Sequence, residues 1–252
     1  MITNDSSPEL NPLYLRTTHD KGTFITIEGI DGSGKSTLVE KLADYYRQHD
    51  KKVVVVWEPG GCPTSEVIRD ILKNPDNTLD QNQELLLLYT ARISLVREVI
   101  LPALQEDKVV ISDRFFHSTF AMQYWASQCD PELFGRLTDQ IVEMVNPDIT
   151  LFIDVLLDTA AKRRVREGQP DRFDGREDEY HKKVREGFLL LDALYDNRYQ
   201  RIGVSAEDSP ERVTEKALAI LDAYVPVEKP KAKPFSNPWL SFLNGLFNTV
   251  SR

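Results

Sequence analysis

Gly29-Ile30-Asp31-Gly32-Ser33-Gly34-Lys35-Ser36-Thr37 constrains this chain more than any other stretch. It has the form G-x-x-x-x-G-K-[ST]. It follows an apolar run, Phe24-Ile25-Thr26-Ile27, and precedes a segment with Leu38, Leu42 and Tyr45 at helical spacing. Strand, glycine-rich turn and helix in that order make a cradle for phosphate. The glycines let successive backbone N–H groups point inward, and the helix N-terminus adds positive potential. In such a loop Lys35 reaches the β- and γ-phosphates and the Ser36 hydroxyl binds Mg²⁺. Residues 29–37 therefore predict binding of ATP or GTP.

The rest of the chain supplies the sheet that such a loop needs. Val53–Val56, Val109–Ile111 and Ile149–Ile153 read as buried strands, with a weaker one at Ile202–Val204. Helical patterns fill the gaps at 35–48, 64–73, 81–105, 118–127, 132–145, from Asp158, and at 177–196. Asp80 with Gln83 has the form of a capping box, Asp130-Pro131 opens the next helix, and Ser209-Pro210 opens the last one of the core. Strands alternating with helices, with no hairpin signals, predict an α/β P-loop NTPase-type three-layer fold. Its five-stranded parallel sheet is flanked by helices. Residues 1–20 read as a flexible arm. Residues 226–252 read as a Pro/Lys linker followed by an amphipathic helix carrying Trp239, Leu240, Phe242, Leu243, Leu246, Phe247 and Val250 on one face. Such a tail is expected to dock on the core of its own or a neighbouring subunit, or else to lie on a membrane surface or serve as a handle for a partner protein.

Composition narrows the setting. Only Cys62 and Cys129 are present among 252 residues, which argues against a disulfide framework or a zinc scaffold and suggests a reducing compartment. A net charge of −9 argues against a general nucleic-acid coat. No apolar run approaches the ~20 residues that span a bilayer. A cytoplasmic protein is expected.

Nucleotide binding alone does not choose between a kinase, a switch or sensor with a partner-binding tail, and a mechanical ATPase. Two further sites favour phosphoryl transfer. Asp113-Arg114 closes a strand where α/β sheets gather ligands. Asp113 there suits the Mg²⁺ shell of a P-loop, or else a simple strand-end salt bridge. The segment Lys162-Arg163-Arg164-Val165-Arg166-Glu167-Gly168-Gln169-Pro170-Asp171-Arg172 is basic in an otherwise acidic chain. Its Gly168 and Pro170 suit a mobile lid that brings arginines onto phosphates.

Taken together, these motifs resemble the thymidylate kinase family over roughly residues 22–222, within a kinase domain of residues 21–225. The carriers are the P-loop, Glu58-Pro59-Gly60-Gly61, Tyr89-Thr90-Ala91-Arg92, Asp113-Arg114 and Leu151-Phe152-Ile153-Asp154-Val155. Gly32 in the loop and Arg163, Arg164 and Arg166 in the lid resemble the bacterial-type group. The resemblance implies ATP-dependent phosphorylation of dTMP to dTDP by a homodimer. It also implies roles. Asp31 contacts the sugar 3′-hydroxyl, Arg69 and Arg114 hold the acceptor phosphate, and Glu58 belongs to the acceptor site. Arg92 bonds the pyrimidine edge, and Thr119 and Gln123 lie near the base. Lys35, Arg114, Arg163 and Arg166 act in catalysis, with Arg172 a further lid arginine. Ser36 and Asp113 serve Mg²⁺.

The sequence also departs from the family pattern. Trp57 stands where an arginine usually precedes Glu-Pro-Gly-Gly, and Leu88 replaces the phenylalanine that stacks on thymine. Phe115, Met122 and Tyr124 replace the usual tyrosine or histidine, tyrosine and glycine, and Ser205-Ala206 stands in the last strand where Asp-Ala is expected. The donor side is intact and the acceptor pocket remodelled, so dUMP or a C5-modified dUMP stands as an alternative acceptor.

Overall fold

A computed structural model describes His19 and residues 21–164, 178–195 and 198–224. Arg166, Arg172, the rest of the proposed lid, the remainder of the N-terminal arm and the tail after 225 lie outside the described residues, as does the side chain of Arg164.

Five parallel strands form the sheet: β1 (Thr23–Glu28), β2 (Val53–Trp57), β3 (Val109–Asp113), β4 (Ile149–Val155) and β5 (Tyr199–Val204). Their spatial order is β2-β3-β1-β4-β5. Apolarity explains the placement. Every residue of β4 is buried, as are Phe24, Ile25 and Ile27 of β1, and these strands occupy the middle. Val53, Val54 and Val55 at one edge are only half-buried. At the other edge β5 is longer than its apolar run, pairing from Tyr199 to Val204 against Thr150 to Val155. Gln200 and Arg201 hide this length from a hydrophobicity pattern because an edge strand tolerates polar side chains.

Nine α-helices, counted among the described residues, flank the sheet. They are α1 (Lys35–Gln48), α2 (Pro63–Lys73), α3 (Gln81–Leu95), α4 (Leu101–Gln105), α5 (Phe116–Thr119), α6 (Pro131–Met144), α7 (Leu157–Arg164), α8 (Asp178–Leu194) and α9 (Pro210–Ala223). Their starts follow the expected chemistry. Asp80 Oδ1 accepts from the Asn82 and Gln83 amides while Gln83 Oε1 accepts from the Asp80 amide at 2.9 Å. Asp130 caps α6 through Leu133 N at 2.7 Å, and Ser209 caps α9. Helix α1 differs: it starts after Gly34 with no side-chain cap, so its first amides stay open to a ligand.

Two stretches expected as plain α-helix contain π-helical turns. Val96–Ile100 separates α3 from α4, just before Pro102, whose missing N–H and bulky ring an ordinary helical turn does not accommodate. Phe120–Ala126 continues α5 and turns Met122 and Gln123 onto the wall of a cavity of about 510 Å³. Both cysteines are buried and free. Among the described residues no helix is long and apolar enough to cross a membrane.

Candidate active site

The glycine-rich loop leaves the C-terminal end of β1. Gly29 has φ 150°, and a Cβ there would lie 2.7 Å from the Ile153 carbonyl oxygen, so a side chain is excluded by the backbone of β4. Gly34, at φ 95°, turns the chain into α1. Lys35 follows at once and is buried, its Nζ donating to Ile30 O at 3.0 Å and lying 3.8 Å from Asp31 Oδ1. Burial and neighbouring Arg114 push the Lys35 ammonium below its ordinary range, while Asp31, Asp113 and Glu28 pull it back. The Ser36 hydroxyl donates to Asp113 Oδ2 at 2.7 Å.

Asp113 and Arg114 do not form the strand-end salt bridge that adjacency allows. Arg114 has φ 75°, a left-handed conformation uncommon outside glycine, and this swings its side chain toward the loop instead. Its Nη1 donates to Gly29 O and to Ser118 Oγ, both at 2.9 Å, and its Nη2 forms a close ion pair with Asp31. Asp113 is thereby left to Ser36.

Beside this pair opens a cavity of about 510 Å³ whose wall includes Asp31, Lys35, Ser36, Arg69, Arg92 and Arg114. Glu58, Leu88, Thr119 and Gln123 line it as well, so every acceptor residue expected from the sequence meets here. Arg69 Nη1 donates to Pro59 O at 2.6 Å. Arg92 is buried between the rings of Tyr89 and Phe115, its guanidinium carbon 4.8 and 5.3 Å from their centroids. Its Nε bonds Glu58 Oε2 at 2.8 Å and its Nη2 bonds Thr119 Oγ1 at 2.9 Å, whereas the buried Nη1 has no protein acceptor. One edge of the guanidinium is thus fixed and the remaining donor is available to a ligand. Burial raises the Glu58 carboxyl, and Arg92 opposes that rise.

A second cavity, about 360 Å³, lies on the other side of the loop against Gly32, Ser33, Gly34, Thr37, Arg163 and Pro210. Arg163 Nη1 reaches to 3.5 Å from Ser33 O, so one expected lid arginine already faces the loop. Ile30 lines the first cavity. The loop therefore separates two chambers, with Lys35 and Ser36 opening on the first.

Sequence reasoning missed several lining residues. Tyr180, His181 and Val184 project from the start of α8, and Lys73 from the end of α2. Nothing in their local pattern marks them, because only the tertiary fold lays α8 across the cavity. Glu28 was also missed, although a signal existed: it is a charged residue ending an otherwise apolar central strand. It is fully buried, and desolvation raises its carboxyl from 4.5 to about 7 despite hydrogen bonds from Ser118 and Phe115 N and attraction to Arg114. Buried His117, 3.9 Å from Glu28, is lowered from 6.5 to about 3 by desolvation and by Arg92.

These two groups tilt stability in opposite senses. Between pH 4.5 and 7 the native state holds the Glu28 proton that the unfolded chain has released, so this group's contribution falls as pH rises. Between pH 6.5 and 3 the unfolded chain protonates its histidine while native His117 stays neutral, so stability is lost as pH falls. His117→Gln is expected to flatten the acid-side decline between pH 6.5 and 4. Urea denaturation across that range checks it; an unchanged slope contradicts the assignment.

A sequence model of the family described as Thymidylate kinase matches residues 27–217. The chain belongs to the thymidylate kinase family. The thymidylate kinase of Acinetobacter baylyi is 36% identical over 204 residues, covering 80% of this chain and 100% of the relative. That of Thermoanaerobacter pseudethanolicus is 38% identical over 180 residues, covering 71% and 88%. Among solved structures, the thymidylate kinase from Ehrlichia chaffeensis superposes with a TM-score of 0.66 at 32% identity, covering 80% of this chain and 99% of that one. Within the thymidylate kinase frame, four of the departures noted in the sequence, Trp57, Leu88, Phe115 and Met122, line the same cavity. The departures are concentrated in this chamber. Tyr124 is buried against Phe134, with ring centroids 5.1 Å apart, and serves packing, while Ser205 lies beyond β5 with its amide bonded to Asp208.

Proposed function

We propose that the protein transfers the γ-phosphoryl group of ATP to dTMP, releasing ADP and dTDP. The observation that carries this reading is the Asp31–Arg114 pair, which joins the glycine-rich loop to a cavity holding a free Arg92 donor. A donor phosphate on the loop and an acceptor phosphate beside Arg114 would share that boundary. An oxygen of the dTMP phosphate attacks the γ-phosphorus, and the bond from that phosphorus to the β-γ bridging oxygen breaks, leaving ADP. The attacking oxygen is already anionic, so no general base is required. Lys35, Arg114, Arg163 and Arg166 stabilise charge on the transferring group, and Arg69 with Arg114 orients the acceptor phosphate. Asp31 orients the sugar, and Arg92 offers Nη1 to the pyrimidine edge beside Leu88, Thr119 and Gln123.

The Ser36 hydroxyl and the Asp113 carboxylate, in contact at 2.7 Å, are hard oxygen donors suited to Mg²⁺ and its waters. Among the described residues there is no group of three or more His, Cys, Asp or Glu that could form an all-protein cage. P-loop sites do not need one, since phosphates and waters complete the shell. Bound with the nucleotide, Mg²⁺ supplies charge neutralisation at the β- and γ-phosphate oxygens.

A cytoplasmic homodimer fits this activity. Exposed Val67 and Ile71 on α2 and Leu86 on α3 support pairing through those helices. The tail of residues 226–252, read from its sequence as an amphipathic helix, is proposed to dock on the dimer or on a partner protein. A panel of nucleoside monophosphates with Mg-ATP tests the function. The expected result is a kcat/KM for dTMP at least about tenfold above that for dUMP. A faster C5-modified dUMP overturns the acceptor assignment, and ATP binding without turnover of any monophosphate favours a sensor.

A further inference from the structure

We propose that Glu28, acting through Ser118, is a positioning residue that holds Arg114 between the glycine-rich loop and the acceptor phosphate. The inference rests on the phosphoryl-transfer reading above and adds a residue to it that touches no substrate.

Glu28 ends β1 one residue before Gly29 and has no solvent exposure. Its two oxygens do different work. Oε1 accepts from Phe115 N at 2.8 Å and so holds the backbone just after Arg114. On the other side of Arg114, its own amide donates to Ile27 O at 3.0 Å, and Ser112 Oγ donates to its carbonyl at 2.6 Å. A residue at φ 75° is thus clamped at both ends, in a conformation a non-glycine residue holds only when its surroundings enforce it.

Oε2 accepts a close hydrogen bond from the Ser118 hydroxyl. Ser118 Oγ accepts in turn from Arg114 Nη1 at 2.9 Å. A hydroxyl has one proton and two lone pairs. In the ionised form of Glu28, which prevails above about pH 7, donating that proton to the carboxylate points the lone pairs at the guanidinium, so the relay orients Arg114 in one rotamer. Nη1 is then aimed at Gly29 O and Nη2 at Asp31. Arg114, Lys35, Arg92, Glu58, His117 and Tyr199 surround Glu28 electrostatically, and Arg114 is the one joined to it through a single hydroxyl. An arginine displaced by about 1 Å would no longer meet both phosphates, a loss on the order of 100-fold in rate.

Steady-state kinetics of Ser118→Ala, Ser118→Thr, Glu28→Gln and the Glu28→Gln/Ser118→Ala double variant test the relay, each compared with the unmodified enzyme. Ser118→Ala is expected to lower kcat/KM for dTMP by roughly 10- to 100-fold while KM for ATP moves less than about twofold. Ser118→Thr keeps the hydroxyl and is expected to return to within about threefold of the unmodified enzyme. Glu28→Gln should match Ser118→Ala, and the double variant should be no worse than either by more than about twofold, since both break one chain of bonds. Unmodified kinetics in Ser118→Ala, no rescue by threonine, or parallel loss of ATP and dTMP parameters overturns the proposal. Absence of dTMP turnover in the unmodified enzyme would fail the parent reading instead. Crystal structures of the unmodified protein and Ser118→Ala then still decide the relay: Arg114 Nη1 should leave Gly29 O, and an unmoved guanidinium refutes it.

Discussion

Lys35→Ala is expected to reduce kcat by about 10²- to 10³-fold while KM for dTMP changes less than about threefold. The ammonium is buried beside Asp31 and anchored to Ile30 O, at the loop end of the cavity that Arg69, Arg92 and Glu58 also line. Removing it leaves the Asp31–Arg114 pair and the Arg92 donor in place, so the acceptor still finds its contacts. What disappears is a preplaced cation whose effect grows as charge builds on the transferring oxygens. A coupled assay for ADP at saturating ATP measures the split. Equal factors in kcat and KM would mean that Lys35 only binds.

Arg92→Leu is expected to damage both stability and acceptor binding. Glu58 is buried, and Arg92 supplies its ion pair at 2.7 Å. Deleting one partner of a buried pair typically costs about 3–5 kcal/mol, because the survivor is left desolvated and uncompensated. Glu58 would respond by taking up a proton, since burial already raises its carboxyl. Adding Glu58→Gln to Arg92→Leu removes the stranded charge and should recover a large part of the loss in urea denaturation. The rise in KM for dTMP, expected to be about tenfold or more from loss of a charged donor, should not recover. Recovery of both would place Arg92 in the scaffold alone.

These two residues also illustrate what a sequence can and cannot disclose. Lys35 lies in a contiguous motif whose chemistry is local, so its burial and its neighbours Asp31 and Ser36 follow from nine consecutive residues. Arg92 was found through a pattern on one helix, but its partners Glu58 and Thr119 come from other elements, and only the fold shows that two of its nitrogens are already committed. Caps at Asp80, Asp130 and Ser209 were legible because each concerns three or four successive residues. The strand order was not, since all-parallel pairs carry no turn signal to declare neighbours. Phe120–Ala126 was legible as helical but not as π-helical, which sets where Met122 and Gln123 point. Glu28 escaped attention because a strand pattern treats a terminal charge as the end of the element, whereas here it is the most buried carboxyl beside the site. Tyr180 and His181 reach the cavity from a helix far along the chain, a relation without any local trace.

The position of β1 has a consequence for how the molecule is made. This strand lies between β3 and β4, pairing Thr23 with Val109 and Ile25 with Ile149. Both neighbours are translated long after it, and closing such distant pairings is slow compared with local helix formation. A nascent chain therefore carries its nucleotide loop for most of synthesis without a bed to lie on. Any stabilisation of the nascent fold by ATP is therefore expected only once β4 (Ile149–Val155) has been made, which makes the middle of the sheet the timekeeper of maturation.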